Sequence, residues 1–312
     1  MNYKAPGKSF REGLSTAQFF KIFPDDKSAE EWFIKQFWPE EMCCPRCGSV
    51  NVQTGAKHKT MPFRCRDCRR RFSTKTGTFM EGSKIGYQNW LYAFYLFATN
   101  LKAISSKKLH RELGISQKSA WFMAHRLRQA WNTRPEEPME GPAETDTTYM
   151  GGKRKNMPKR KLAVLTGRDA VGKTAVTGIK DRRTNEVRAK VVPDSKGQTL
   201  RGFVTENVQP DAKVYTDDAP AYNALPNRES VNHSHMEYVK GDIHTNGIES
   251  FWSLLKRAHV GTFHKLSEEH LHRYVGEFAG RHNMRSKGTL DQMSEIANRG
   301  VGKRLKYREL AG

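Results

Sequence analysis

Apolar residues recur at three- and four-residue intervals through much of the first half of the chain, the spacing of helices with one buried face. Residues 16–38 show it on both sides of Pro24, which predicts two short amphipathic helices, with acidic and hydroxyl residues after the proline to cap the second. The spacing returns from Tyr87 to Trp131. A cysteine-rich segment at 43–80 separates these regions.

The pattern changes after residues 133–142, TRPEEPMEGP, which hold three prolines and show no periodicity, as expected of a linker. Beyond them, β-branched runs predict strands at 161–168, 174–181 and 213–217. Helices are expected at 196–207, 218–225, 246–258 and 266–283. Strands mixed with helices in this way favour an α/β domain.

The net charge of the chain favours a polyanionic partner. It has 54 Lys and Arg against 33 Asp and Glu, a net charge of +21. Such a surface indicates nucleic-acid binding, with a ribosomal or merely basic protein as the alternative. No apolar stretch approaches the roughly 20 residues of a membrane helix, and MNYKAPGKSF at the N-terminus has no apolar core. We therefore expect a cytoplasmic protein with no membrane association.

Four of the five cysteines form two C-x2-C pairs separated by 17 residues: Cys44, Cys47, Cys65 and Cys68. In a reducing compartment such pairs predict the four-thiolate tetrahedron that structural zinc prefers. Gly48 allows the tight turn after the first pair, whereas Cys43 lies outside the register. A closed site of this kind folds a small domain, a zinc ribbon, and leaves no position open for chemistry.

Basic residues surround the second cysteine pair: Arg64, Arg66, Arg69, Arg70 and Arg71. This cluster predicts phosphate contacts, and a solvated basic face is the alternative.

A second DNA-binding element is predicted at 105–128. Leu109 and Leu113 share one helix face, Gly114 permits a sharp turn, and Ser116 caps a following helix. This is the helix-turn-helix arrangement, whose second helix enters the major groove. Its candidate DNA contacts are Gln117, Lys118, Ser119 and Arg126. An ordinary helical hairpin is the alternative.

Residues 167–174, GRDAVGKT, match the phosphate-loop pattern G-x4-G-K-T. That loop requires a helix to begin at its lysine. The following residues, TAVTGIKD, instead alternate like a strand, and the preceding KLAVLTG also resembles one. We therefore interpret the match as a hairpin turn and reject an ATP site.

Three acids stand at positions typical of metal-dependent phosphodiester chemistry. Asp146 opens the α/β region, Asp217 ends the run VYTD, and Glu249 lies on a predicted helix. Two divalent metals held by carboxylates can activate one oxygen and stabilise the leaving oxygen. The order of these acids, with a strand hairpin between the first two, predicts a ribonuclease-H-like fold. Asn246 is a second candidate for the third ligand, and Lys256 lies on the face of Glu249 to hold a DNA backbone.

For several other residues the sequence predicts a role less specifically. His244 is expected to orient a ligand or contact phosphate, while His233 and His235 suit a solvent-facing strand better than a metal site. Phe251 and Trp252 are expected in the core rather than against bases.

The chain resembles bacterial insertion-sequence transposases that join a zinc ribbon to a DDE catalytic domain, the ISXO2-like group. The resemblance runs from about Phe19 to Asn283 and rests on CPRCGS, FRCRDCRRRFSTKTGTFM, DTTYMGGK, VYTDDAPAY and HTNGIESFWSLLKRAHVGTFH. It implies Asp146 and Asp217 as ligands of catalytic Mg²⁺ or Mn²⁺. It implies Glu249, or Asn246 in some subgroups, as the third ligand, with Lys256 as basic partner. One departure is Thr147, where the family often has Glu.

The resemblance further implies binding to inverted repeats and target DNA, a homodimer or higher synaptic complex, and a bacterial, nucleoid-associated location. The expected divisions are N-terminal helices at 1–40, zinc ribbon at 41–82, helix-turn-helix at 83–133, catalytic domain at 143–285 and a basic tail, frayed or lying on DNA, at 286–312. The competing hypotheses are a non-catalytic DNA-binding regulator and a nuclease without strand transfer.

Overall fold

The computed structural model describes residues 12–55, 57–131, 137–152, 157–164, 172–231 and 243–312. The chain divides into two compact units. Unit 1 comprises Met1–Asn132 with Met284–Gly312, and unit 2 comprises Thr133–Asn283. Among the described residues, no helix combines the length and the apolar character needed to cross a bilayer.

The described helices are α1 (Thr16–Ile22), α2 (Asp26–Phe37), α3 (Tyr87–Thr99), α4 (Ser106–Leu113), α5 (Gln117–Arg128), α6 (Lys159–Val164), α7 (Gly197–Asn207), α8 (Asn246–Ala258), α9 (Leu271–Asn283), α10 (Thr289–Asn298) and α11 (Tyr307–Ala311). The described strands are β1 (Val52–Gln53), β2 (Phe63–Cys65), β3 (Arg71–Phe72), β4 (Ala143–Met150), β5 (Thr174–Asp181), β6 (Val187–Val192), β7 (Val214–Asp217) and β8 (Arg228–Val231).

The first two helices form where the sequence predicts them. The Ser15 side chain accepts a hydrogen bond from the Gln18 backbone N–H, and the Asp25 side chain accepts one from the Ser28 N–H. Both helices therefore begin with reciprocal caps, which satisfy backbone donors that would otherwise lack partners. Pro24 lies between the helices and separates them.

One hydrophobic core joins the helices of unit 1. It includes Phe19 and Phe33 from the first two helices, Trp90 from α3 and Leu127 from α5. The helices at 1–40 and those at 83–133 therefore share a core instead of forming separate modules. The small antiparallel sheet β1-β2-β3 has its own cluster around Phe63 and the buried cysteines.

The expectation of a frayed tail from residue 286 onward is wrong. This segment contains α10, in which Met293, Ile296 and Ala297 are fully buried in the core of unit 1. Their three- and four-residue spacing is that of a helix with one apolar face. The positive charges of the segment lie outside this helix, at Lys287 and from Arg299 onward, and do not interrupt the periodicity.

Two helices meet at a sharp turn in residues 105–128. Ser105 and Ser116 cap α4 and α5, and Gly114 ends α4 in the left-handed conformation, with φ 63°. Leu109 and Leu113 are buried on one face, as predicted, and Ile115 packs against the same core.

Unit 2 is built on a five-stranded sheet in the order β6-β5-β4-β7-β8. The first three strands of this unit, β4, β5 and β6, form an antiparallel meander, whereas β4, β7 and β8 are parallel. The predicted helices at 196–207 and 246–258 match α7 and α8. The helix expected at 218–225 is only a 3-10 turn, Pro220–Tyr222, and α9 begins later than expected, at Leu271.

The strand expected at 161–168 is wrong where the structure describes it, because Lys159–Val164 forms α6. Short apolar runs fit a strand or a helix equally well, and periodicity alone does not separate them. Residues 165–171, and with them most of the phosphate-loop match, lie outside the described residues, as do His233 and His235. After Lys173 the chain enters β5, so no helix begins there to cradle a phosphate.

Candidate metal and DNA sites

The four paired cysteines converge in unit 1. Their sulfur atoms all lie within 4.8 Å of one another, with Cys44 to Cys68 and Cys47 to Cys65 each at 3.7 Å. A tetrahedron with Zn–S bonds of about 2.3 Å places its sulfurs roughly 3.8 Å apart. The cysteine tetrad therefore has the dimensions that zinc requires. Cys43 does not belong to this group.

A backbone N–H stabilises the thiolate state of one member of the tetrad, Cys65. The N–H of Cys68 lies 3.5 Å from the Cys65 sulfur, and this interaction lowers the pKa of Cys65 to about 7. Gly48 adopts φ 75°, the left-handed conformation that the sequence predicts for the first turn. A lowered thiol pKa favours metal binding, because the thiolate is the ligand.

An open depression of about 650 Å³ lies on the ribbon beside this tetrad. It is lined by Met61 and five arginines: Arg46, Arg64, Arg69, Arg70 and Arg71. All five arginines are exposed, and Arg66 is exposed as well but does not line the depression. Clustered guanidinium groups that face solvent suit phosphate oxygens. We call these five arginines the arginine basin.

The candidate contacts on α5 fall into two environments. Gln117 and Lys118 are exposed at the start of the helix, where the Lys118 ammonium lies 4.6 Å from the Tyr307 ring centroid. Ser119 is half-buried and within hydrogen-bonding distance of Ser116. Arg126 is only 8% exposed, and its guanidinium lies 4.2 Å from a ring centroid, that of Phe122. Its burial sets Arg126 apart from the accessible candidates.

In unit 2, Asp146 and Asp217 lie on the neighbouring parallel strands β4 and β7. The parallel register of β4 and β7 pairs Glu144 with Tyr215. Two residues further along both strands, the same register puts Asp146 beside Asp217. Adjacent strands lie about 4.8 Å apart, so both carboxylates reach one volume on one face of the sheet.

That face is the one covered by α8. Glu144 accepts a hydrogen bond of 2.9 Å from the Ile248 N–H of α8, and Asp146, two residues on, shares its side of the strand. Asp146 is paired with Gly178 of β5, where a Cβ would lie 2.7 Å from the Trp252 ring. The glycine therefore permits α8 to approach the sheet directly beside Asp146. Trp252 and Phe251 are buried, as the sequence predicts.

The pKa of Asp146 reflects electrostatic repulsion from the other two acids. Burial, together with the negative charges of Asp217 and Glu249, raises the pKa of Asp146 to about 6. The Thr147 N–H, 2.7 Å from an Asp146 oxygen, partly opposes this shift. Carboxylates that destabilise one another's charge gain from a cation placed among them.

The carboxylates form a more open site than the cysteines. Among the described residues, only the cysteine tetrad has three or more donor atoms all within 4.8 Å of one another. Glu249 is exposed in the first turn of α8, where its oxygen accepts a 2.9 Å hydrogen bond from the Thr245 hydroxyl. Asn246 and Lys256 are exposed on the same helix. An all-oxygen donor set of this kind fits Mg²⁺ or Mn²⁺, which leave part of their coordination to water and substrate.

Thr147, the departure from the expected motif, points away from this site. Its hydroxyl lies 2.8 Å from the Tyr222 hydroxyl, and Tyr222 belongs to the core on the opposite side of the sheet. Because alternate strand residues face opposite sides, the residue at this position does not join Asp146. The threonine therefore leaves the three-acid arrangement intact.

The role of Glu144 and its partner Arg182 in supporting this site was not predicted from the sequence. Glu144 is 2% exposed and is bonded to Arg182 through a 2.8 Å ion pair. Arg182 lies 38 residues later, so no local spacing connects the pair. The sequence did offer one indication: Glu144 is two residues before Asp146, so on a strand both side chains face the same side.

Known proteins match the chain in this region and beyond. Residues 138–283 match the ISXO2-like transposase domain. A protein in transposable element ISH50 of Halobacterium salinarum is 30% identical over 253 residues, covering 76% of this chain and 84% of that protein. A transposase-like protein of Haemophilus influenzae is 34% identical over 102 residues, covering 31% of this chain and 81% of that protein. By sequence and by the extent of these matches, the chain belongs to the ISXO2-like transposase family.

Proposed function

We propose that the protein is a DDE transposase that cuts DNA at the ends of its element and joins those ends to target DNA. The observation that carries the proposal is the parallel register of β4 and β7, which, continued by two residues, puts Asp146 beside Asp217, with α8 on the same face. The three acids, from two strands and one helix, would surround one volume accessible to substrate. Family membership supports the transposase role.

A ribonuclease-H-like fold for unit 2 accompanies this proposal. Its support is the strand order β6-β5-β4-β7-β8, in which an antiparallel meander precedes two parallel strands. Helices cover both faces: α7 contributes Leu200 and Phe203 to a core with Ile179, while α8 packs over Gly178. Gly178 and Ile179 are neighbours on β5 and therefore face opposite sides.

Asp146, Asp217 and Glu249 would hold the divalent ions, with Asn246 as the alternative third ligand. Bound there, Mg²⁺ or Mn²⁺ would activate the attacking oxygen and stabilise the leaving oxygen. The protein supplies carboxylates on rigid elements, with Glu249 oriented by the Thr245 hydroxyl. Lys256 is exposed on α8, where it would neutralise a DNA phosphate.

Unit 1 would recognise the DNA. Zinc held by the cysteine tetrad would fold the ribbon and present the arginine basin to phosphates. The pair α4 and α5, with a glycine turn between them, would act as a helix-turn-helix that presents Gln117 and Lys118 to base edges. Because transposition pairs two element ends, a homodimer or larger assembly would be the active form.

The test is strand transfer of a pre-cleaved element end into plasmid DNA with Mg²⁺. Wild type and Asp218→Ala should join the end, whereas Asp217→Ala should not. Asp218 is the matched control because it is the exposed neighbour beyond the end of β7. If zinc-loaded wild-type protein bound the correct end but neither cut nor joined DNA, the regulator hypothesis would replace this one. Cutting without joining would instead favour a nuclease.

A further inference from the structure

A buried polar cluster lies next to the three acids, centred two residues before Asp146 on β4. Its centre is Glu144, whose side chain is 3% exposed and two residues before Asp146. One carboxylate oxygen accepts from Arg182 Nε at 2.8 Å, and the other accepts from the Ile248 N–H at 2.9 Å. The glutamate therefore joins β4 both to the residue that follows β5 and to the first turn of α8.

Arg182 extends the cluster to the segment that leads into α8. Its Nη2 donates to the His244 carbonyl at 2.6 Å and lies 2.9 Å from His244 Nδ1. The guanidinium also lies 4.1 Å from the ring centroid of Tyr215, the register partner of Glu144 on β7. One arginine thus contacts β4, β7 and the entry to α8. The planar guanidinium of an arginine, with its several N–H donors, can make these contacts at the same time. The ammonium group of a lysine cannot.

Gly247 fits between these groups without spare room. A Cβ there would lie 2.7 Å from a Glu144 oxygen and 2.8 Å from the Lys180 ammonium. Since Glu144 is held by two donors, it cannot move aside without losing one of them. The first turn of α8 is therefore seated against the charged pair itself.

We propose that Glu144 and Arg182 form a positioning clamp that sets the distance between Glu249 and the two catalytic aspartates. The proposal rests on the proposed strand-transfer function of those acids. Ile248, which donates to Glu144, directly precedes Glu249, and Tyr215 lies two residues before Asp217. The clamp contacts each of the three elements that carry an acid.

The test uses full-length Glu144→Gln, Gly247→Ala and Arg182→Lys variants, with Glu186→Gln as matched control. Glu186 pairs with Arg188 through a similar 2.8 Å ion pair elsewhere in unit 2. Gly247→Ala keeps both charges of the clamp, so it remains informative if Glu144→Gln fails to fold. Two quantities are measured: hydrogen exchange of peptides covering 244–252, and the single-turnover rate of strand transfer at saturating DNA.

The clamp variants should exchange about tenfold faster within 244–252. Their strand-transfer rate should fall about 10²-fold, since small displacements of reacting groups have effects of this size. The DNA concentration for half-maximal rate should stay unchanged. Arg182→Lys should be as slow as the other clamp variants although it keeps the positive charge. The Glu186→Gln control should match wild type in both measurements.

Unchanged exchange in 244–252 for both Glu144→Gln and Gly247→Ala would overturn the clamp. Faster exchange with a wild-type transfer rate would overturn it as well, because the cluster would then stabilise α8 without positioning Glu249. A wild-type protein that transfers no strand would instead defeat the proposed function. The exchange measurement would still decide separately whether the clamp orders α8.

Discussion

The two candidate metal sites differ in their ligand atoms and in how completely protein ligands would surround a metal. In unit 1, four sulfurs lie within 4.8 Å of one another on short strands and turns. In unit 2, three carboxylates come from two parallel strands and a helix, and Glu249 is exposed to solvent. In the first arrangement protein ligands would fill all four coordination positions of a tetrahedral metal. In the second, some coordination positions of the metal would stay open to water and substrate.

This difference shows how each site relates to folding. The sheet β1-β2-β3 is formed by strands of two or three residues, with a small cluster around Phe63 and Phe72, so we expect it to depend on a metal for stability. Unit 2 has a five-stranded sheet and its own hydrophobic core, which hold the acids together without a metal. A metal at the first site would contribute stability, and a metal at the second would relieve charge repulsion.

Removal of zinc should have the largest effect. Chelation, or Cys65→Ser, should cost the ribbon on the order of 10 kcal/mol of metal-dependent folding energy. Hydrogen exchange should then approach unfolded rates over residues 42–76, while protection of β4 and β5 persists. Cys43→Ser is the matched control, because Cys43 lies outside the tetrad. A ribbon that stays protected without metal would remove the contrast between the two sites.

Substitution of the third acid should have the next largest effect. Glu249→Gln should slow strand transfer about 10³-fold, because the charge that binds the metal is lost while the side-chain shape is kept. Asn246→Ala should stay within about tenfold of wild type, since Glu249 is the residue whose charge reaches Asp146. The reverse ranking of the two variants would assign the third ligand to Asn246.

The pH dependence of stability should reveal the repulsion among the acids. The pKa of Asp146 is raised from 3.8 to about 6, so its ionisation disfavours the metal-free folded state above the unfolded pKa. This cost is absent below pH 3.8, grows as pH rises, and is complete above pH 6. Asp146→Asn should therefore stabilise the metal-free protein by up to about 3 kcal/mol at pH 8.

The same substitution should have little effect on stability near pH 4, where Asp146 is largely protonated in the folded protein. Thermal unfolding in the presence of a chelator at both pH values measures the difference. Equal stabilisation at the two values would show that the asparagine acts through packing and not through charge.

The smallest expected effect concerns the arginine basin. Arg69→Ala should weaken DNA binding by about 1 kcal/mol and reduce the salt dependence by roughly one counterion. Arg66→Ala should change affinity less, because Arg66 is exposed outside the depression. Fluorescence anisotropy across a series of salt concentrations measures both quantities. Equal effects from the two variants would indicate a diffuse basic surface instead of a defined basin.

Local signals in the sequence predicted much of this fold. Caps such as Ser116, the glycine turn at Gly114 and the paired cysteines each act within a few residues, and the structure has them as expected. The burial of α10 was missed, although Met293 and Ile296 carry the helical spacing. The residues 161–164 were predicted wrongly because a short apolar run suits either type of element.

The support of the acidic site could not be predicted in the same way. The alignment of Asp146 with Asp217 depends on the parallel register of β4 and β7, two strands that are far apart in the chain. The pairing of Glu144 with Arg182 depends on the turn after β5 and on how closely α8 approaches the sheet. Such contacts arise from tertiary packing, which a single sequence does not encode locally.

The central claim is that Asp146, Asp217 and Glu249 hold the catalytic metal. Anomalous diffraction from crystals of the protein bound to a cleaved element end and soaked in Mn²⁺ tests it most directly. We expect an anomalous peak within coordination distance of both Asp146 and Asp217, and its loss in Asp217→Ala. Manganese bound elsewhere on the protein, with no peak between these two carboxylates, would contradict it.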